Sequence, residues 1–342
     1  MDETDKSTNA VDSQRRSVRN ARRIALLTAG GDAPGMNAAI RAVVRTASGA
    51  GLEVLGVQRG FEGLIYGNFE SLPNRSVSNI IQHGGTILET SRTPEFSTAA
   101  GRSRSVENLR YRGVRGLIVM GGDGSLAAAR AFAIDTGMRV MFIPATIDND
   151  VPSTDYSIGF DTAVNTALEA IDRIRDTAFA SDRLFFVEVM GRDSGFIALA
   201  VAIGGGAELV IVPEIPFDLD EMCRRIEDGQ LRGKRSSIIV VSEGPRTGGA
   251  SKIASAVTER LGMQSRLVVL GHIQRGGAPT ARDRMLASRM GAAAVQALVE
   301  ERPSSLIGEE RGRIVEVPFD RVESATRPLD PALIDLVHSL AV

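Results

Sequence analysis

From Ile24 onward the chain alternates short aliphatic runs with stretches whose apolar residues recur every three or four positions. IALLT, EVLGVQ, LIVMG, VMFIP, LFFVEVM, ELVIVPE, SIIVVSE and RLVVLGH have strand length, and a last strand falls near RIVEV. Helical spacing occupies 36–48, 125–135, 161–179, 195–203, 219–229, 251–261 and about 281–300. Runs that stay apolar on both faces are those of parallel strands covered by helices, so the rhythm predicts βαβ units. The predicted fold is α/β: two Rossmann-like lobes with mainly parallel sheets flanked by helices. No fixed repeat or low-complexity linker interrupts it, and residues 1–20 carry no apolar period and read as a disordered tail.

Composition narrows the function classes. At 342 residues and 43% hydrophobic, the chain can build a large core and is long for one compact domain. With Trp 0, Tyr 3 and Phe 12 it has little with which to stack nucleobases, and a formal net charge of -2 offers no basic field for nucleic acid. Cys223 is a lone cysteine, which excludes an internal disulfide framework and fits a reducing cytoplasm. No run approaches the ~20 apolar residues of a membrane span, and the N-terminal residues lack the apolar segment of a secretory signal. A cytoplasmic protein with small-molecule partners is expected. Lysine occurs only at Lys6, Lys234 and Lys252, so nearly all of the 40 positive charges are arginine. Two explanations stay open: nucleotide bias in the source genome, or the guanidinium fork's bidentate grip on phosphate.

Ligands of open parallel sheets bind beyond the carboxyl ends of the strands, so the loops there are searched first. In TAGGDAPGMN, Gly30, Gly31 and Gly35 permit close backbone approach, and helix amides from about Met36 would face an anion. In GGDGS, Gly121, Gly122 and Gly124 leave Asp123 bare while Ser125 either caps the next helix or faces a ligand. An acid among bare backbone suits Mg²⁺, which takes few carboxylates and completes its shell from phosphate and water. PATIDND sets Asp148 and Asp150 two apart with Thr146 and Asn149 beside them: an Asx-rich turn, or a base next to an acid that orders metal-bound water. Arg92, Arg183, Arg192, Arg266, Arg275 and His272 stand near strand ends or glycine turns, where they are either solvated charges or a clamp on phosphate. The Walker pattern GxxxxGK[ST] is absent.

Taken together, LLTAGGDAPGMNAAIR, GGDGS, PATIDND, TDYSIGFDTAVNTALEAIDRIRDTA, VEVMGR and GHIQRGG resemble the bacterial-type 6-phosphofructokinases, in order and spacing, over roughly residues 23–300. The resemblance implies transfer of the γ-phosphoryl of ATP to the 1-hydroxyl of fructose 6-phosphate, with Mg²⁺. It implies Asp148 as base, Thr146 as a holding group, and Gly31, Arg92 and Arg192 around the moving phosphoryl. Gly122, Asp123, Gly124 and Ser125 would meet the nucleotide, and Asp123 and Asp150 the metal. The sugar phosphate would be held by Met190, Gly191, Arg192, Glu243, His272 and Arg275, with Arg183 and Arg266 reaching over from a neighbour in a homo-oligomer, typically a tetramer. It further implies a larger lobe from 21–158 with about 275–325, a smaller one from 159–274 with about 326–342, and an effector cleft near Arg41, Arg45, Arg175, Glu208 and Lys234. Asn74, with Arg75 beside it, stands where some relatives place an effector-site arginine.

Relatives that use pyrophosphate resemble GGDDS followed by PKTIDND; Gly124 and Ala145 stand at those positions and favour ATP. Ser97 departs from the arginine of many bacterial relatives. The alternatives are a pyrophosphate-dependent enzyme, a non-catalytic sugar-phosphate sensor, and, remotely, a lipid or nicotinamide-nucleotide kinase.

Overall fold

A computed structural model of the chain describes residues 23–178, 183–234, 236–244, 246–323 and 327–341, so the expected N-terminal tail lies outside the described residues. Among the described residues eleven strands fall into two sheets. The first contains β1 (Arg23–Thr28), β2 (Glu53–Val57), β3 (Phe69–Ser71), β4 (Val114–Gly121), β5 (Arg139–Pro144), β10 (Ser305–Glu310) and β11 (Arg313–Pro318), in the order β11-β10-β5-β4-β1-β2-β3. The second contains β6 (Leu184–Val189), β7 (Leu209–Ile211), β8 (Ser237–Ser242) and β9 (Ser265–Val269), in the order β7-β8-β6-β9. Every pairing is parallel except β2 with β3 and β10 with β11, as the continuous apolar runs require.

The helices are α1 (Met36–Gly49), α2 (Gly60–Tyr66), α3 (Ala99–Tyr111), α4 (Asp123–Thr136), α5 (Phe160–Ala178), α6 (Phe196–Gly205), α7 (Leu219–Leu231), α8 (Ala250–Leu261), α9 (Ala281–Val299) and α10 (Pro331–Leu340). In the first sheet the strand order reverses between β1 and β4, which opens a crevice at their carboxyl ends. Three buried clusters form the core. One continuous set runs from Ile24 and Met36 to Val240 and Leu270 and so spans both sheets. A second lies under α2, α3 and α4, and the third lies on the far side of the four-stranded sheet.

A buried acid near the crevice joins distant parts of the chain. Asp283, in the first turn of α9, accepts from the Gly159 and Thr162 amides at 2.9 and 2.8 Å and from the Thr162 hydroxyl. It thereby satisfies free amides at the start of α5. Burial pushes its carboxyl up, and these donors oppose that rise. Asp283→Ala should leave those donors buried without a partner and lower unfolding free energy by about 3 kcal/mol, read as a shift of the urea midpoint. An unchanged midpoint would show that the contact contributes little.

Candidate functional site

Strands β4 and β5 bring two acidic turns side by side. Gly121 pairs with Pro144, and the Ala145 amide donates to the Gly121 carbonyl at 2.8 Å. Asp123 and Thr146 therefore leave adjacent strands. A side chain on Gly121 would meet the Ala29 carbonyl at 2.7 Å, so glycine is required for the turns after β1 and β4 to approach. Helix α4 begins at Asp123, earlier than the expected 125, with Gly122 as its cap residue and no side-chain cap bond. Asp123 thus sits in the first turn, at the positive end of the helix dipole. Ser125 does not cap the helix; it is 8% exposed beside Gly30 and Gly121.

The crevice holds a cavity of 590 Å³. Its lining includes Gly30, Gly31, Arg92, Gly122, Asp123, Gly124, Ser125, Thr146, Asp148, Arg192 and Arg275. The helix α1 amides expected to face an anion do not line it. Met36 is fully buried, and Gly35, at φ +109°, tucks the start of α1 beneath Ile158 and Asp283. The loop backbone at Gly30 and Gly31 fills that place instead, with the Arg275 guanidinium against Gly31 and donating to the Asp32 carbonyl at 3.0 Å. Arg92 rides on a loop pinned by Thr28, whose hydroxyl donates to the Glu89 carbonyl at 2.8 Å, and by Phe96, stacked on Phe61 at 4.1 Å.

Asp148 is 5% exposed. Burial pushes its carboxyl up, Arg275 and Arg192 pull it down, and Asp123 raises it again. Asp150 is pushed up to about 7, by burial and then by Asp148 and Asp123. Its buried Oδ1 has no hydrogen-bond partner, an orphan that a cation or its water would satisfy. Among the described residues no three His, Cys, Asp or Glu side chains gather into a metal cage. The orphaned Asp150 oxygen with Asp123 nearby fits Mg²⁺, which is usually held by one or two carboxylates plus phosphate oxygens and water.

The remaining expected residues divide into three groups. Met190, Gly191 and Glu243 follow the paired ends of β6 and β8, the Glu243 amide donating to the Val189 carbonyl at 2.8 Å. His272 lies on the short 3-10 segment Gly271–Arg275 after β9. Its neighbour Gln274, fully buried, accepts from the Met190 amide at 2.8 Å and so fixes these loops to one another. Arg183 and Arg266 are not brought to this end. Arg183 precedes β6, roughly 20 Å of strand from Met190, and Arg266 pairs with Phe185 near the same amino end.

Of the five candidate effector residues, Glu208 and Lys234 share a small cavity. There the Lys234 ammonium donates to the Ala341 carbonyl. Arg175 donates to the Gly206 carbonyl at 2.7 Å, while Arg41 and Arg45 lie on α1 and do not join that cavity.

Sequence reasoning missed part of the cavity wall. Phe61, Phe96, Arg102, Ala127, Ala128 and Ala131 also line it. The alanines of AAARA carry no chemistry that would mark them as lining a site. Arg102 is marked by its ion pair with Asp135 at 2.6 Å and its bonds to the Phe96 and Ser97 carbonyls, contacts that sequence does not display.

A parallel α/β fold that buries acid beside arginine where its strand order reverses is of the class that handles phosphorylated ligands. The chain belongs to the phosphofructokinase family, whose model matches residues 23–298. It is 52% identical over 321 residues to the "ATP-dependent 6-phosphofructokinase 1" of Thermus thermophilus, covering 94% of this chain and 100% of that one. It is 50% identical over 318 residues to the ATP-dependent 6-phosphofructokinase of Clostridium acetobutylicum, 93% of this chain and 99% of that one. Among solved structures, Pichia pastoris phosphofructokinase in the T-state superposes with a TM-score of 0.84 at 33% identity, over 89% of this chain and 35% of that longer one. A pyrophosphate-dependent phosphofructokinase from Marinobacter aquaeolei superposes at 0.80 with 23% identity, over 91% and 86%, a likeness of fold alone.

The Asp150 carboxyl gives a pH signature. Its folded value of about 7 lies above the ordinary 3.8, so between them the folded chain keeps a proton that the unfolded chain has released. Stability contributed by that proton is present at low pH and is lost as pH rises towards 7. In metal-free buffer the Tm of Asp150→Asn minus that of the wild type should therefore grow by roughly 3 °C between pH 5 and pH 8. A difference independent of pH would show that Asp150 titrates normally.

Proposed function

We propose that the chain transfers the γ-phosphoryl of ATP to the 1-hydroxyl of fructose 6-phosphate, giving fructose 1,6-bisphosphate and ADP. The observation that carries this reading is the buried Asp148 carboxyl, which lines one cavity with the Gly31 and Gly122 turns and feels the charge of Arg275 and Arg192. Asp148 accepts the sugar hydroxyl proton, and a carboxyl raised by burial is a better base at neutral pH than an ordinary one. Thr146 holds the reacting groups, its hydroxyl accepting from the Asp148 amide at 3.2 Å. Gly31, Arg92 and Arg192 surround the phosphoryl as it moves. Gly122, Asp123, Gly124 and Ser125 meet the nucleotide phosphates. Asp123 and Asp150 are the residues that would hold Mg²⁺, which when bound offsets phosphate charge.

Met190, Gly191, Arg192, Glu243, His272 and Arg275 grip the sugar phosphate. Arg183 and Arg266 act on the site of a neighbouring subunit, a reading supported by their place at the far end of β6 and β9. The edge strand β9 supports it too: Leu267 and Val269 are 42% and 56% exposed, with Ile273 beyond them at 60%, an apolar strip beside an unpaired strand edge. We read the assembly as a homotetramer with shared sites. Its two lobes centre on the two sheets, and a cleft near Arg41, Arg45, Arg175, Glu208 and Lys234 takes an effector. The substrates are metabolites of the cytoplasm, where we place the enzyme.

ATP as donor is supported by the two bacterial relatives and by Gly124. A side chain there would meet nothing within 4 Å and would enter the cavity, so an aspartate would set a second negative charge among the phosphates. Ala145 bears on the donor less directly than its sequence position suggests. It is fully buried in the core and bridged to Ile158, so a lysine in its place would have to leave that packing.

Assaying the purified chain with each donor should give turnover with ATP and Mg²⁺ and little with pyrophosphate; the reverse would overturn the donor. Asp148→Ser should lower kcat by about 10³ with little change in KM for fructose 6-phosphate. Arg266→Ala should instead raise that KM. At a fructose 6-phosphate concentration below the raised KM, mixing the two impaired variants under subunit exchange should restore part of the activity, and no recovery after verified exchange would refute shared sites.

A further inference from the structure

The Asp148 backbone is held from two sides. Its amide donates to Thr146 Oγ1 at 3.2 Å, and its carbonyl accepts from the hydroxyl of Ser194 at 2.9 Å, across 46 residues and between the two sheets. Ser194 also closes the turn that carries Arg192, its amide donating to the Gly191 carbonyl at 2.9 Å. The Ser194 carbonyl in turn accepts from Ser242 Oγ at 3.1 Å. Ser194 and Ser242 are 5% and 0% exposed, so these bonds are sheltered from competing water. Arg192 sits at φ +54°, as does Asn149 immediately after Asp148. Non-glycine residues hold that conformation only where their surroundings impose it.

We propose that Ser194 is a positioning residue. Fixed by Ser242, it locks the turn bearing Arg192 onto the backbone of Asp148, so that guanidinium and carboxylate stay in register while the sugar phosphate enters and leaves. Ser242 precedes Glu243, so the tie runs from the sugar-gripping end of β8 to the proton acceptor at the end of β5. The role rests on the reading of Asp148 as the base, and its test keeps the two apart.

Ser194→Ala is measured alone and in the Asp148→Asn background, with Tm recorded for each variant. Alone it should lower kcat about tenfold and leave KM for fructose 6-phosphate within about threefold. Added to Asp148→Asn it should change the residual kcat by less than about twofold, because the group it positions no longer takes the proton. The isosteric Ser194→Cys, a weaker donor, should show a smaller loss of the same sign in the same cycle, and it replaces the alanine variant should that one not fold. An equal fall of kcat in both backgrounds, or an effect confined to KM or Tm, would overturn the role. Near-normal kcat in Asp148→Asn alone would strike the base assignment beneath it and remove the role with it.

Discussion

Asp123, Asp148 and Asp150 are held close enough to feel one another's charge, two of them largely out of water, and the site is organised around that constraint. Mutual repulsion and burial both favour the protonated, uncharged acids. The chain offsets this with guanidinium groups that belong to other loops: Arg192 follows β6 and Arg275 closes the segment after β9, whereas the acids follow β4 and β5. The compensation therefore exists only while the two sheets keep a fixed relation. Asp283 across α5 and α9, Gln274 across the ends of α5 and β6, and Ser194 across the acidic turn all serve that relation.

Much of this was legible from the residues because parallel βα architecture writes itself twice. Strands buried on both faces read as unbroken apolar runs, and their carboxyl-end turns read as glycine beside acid. Helix α3 escaped detection because its buried face consists of Gly101, Ser105, Val106 and Leu109, two of them without apolar side chains, among polar and charged residues such as the exposed Arg104 and Arg110. β10 escaped because SLIGEE ends in charge, although Leu306 and Ile307 are buried and Glu309 is 6% exposed. α2 and β3 are too short to show a period. α10 lies in a stretch that carried only a lobe assignment.

Within the site the division is similar. The glycine, acidic and arginine residues of the cavity lie in turns whose local composition is unusual, and those turns were legible, whereas Phe61, Phe96, Arg102 and the α4 alanines that share the lining were not. What holds them could not be found in this way, because Gln274 meets Met190 across 84 residues and Ser194 meets Asp148 across 46. A buried serine or glutamine looks like any other until the fold supplies its partner. The α1 amides show the opposite error: a glycine loop before a helix suggested an anion site at the helix itself, and packing of Gly35 against Ile158 closed it.

The backbone at the junction adds a last consequence. Asn149 and Arg192 both occupy the left-handed region, one in each of the turns that Ser194 joins. Glycine would adopt either conformation without strain, yet neither position can yield its side chain. Asn149 Oδ1 accepts from the Ser157 amide at 2.8 Å and keeps the acidic turn closed, while the Arg192 guanidinium lowers the Asp148 carboxyl. The chain therefore keeps strain at both turns, and rigid neighbours must bear it. Since those neighbours come from different sheets, any motion that parts the sheets would release both turns together, and Arg192 would lose its register with Asp148 in the same movement.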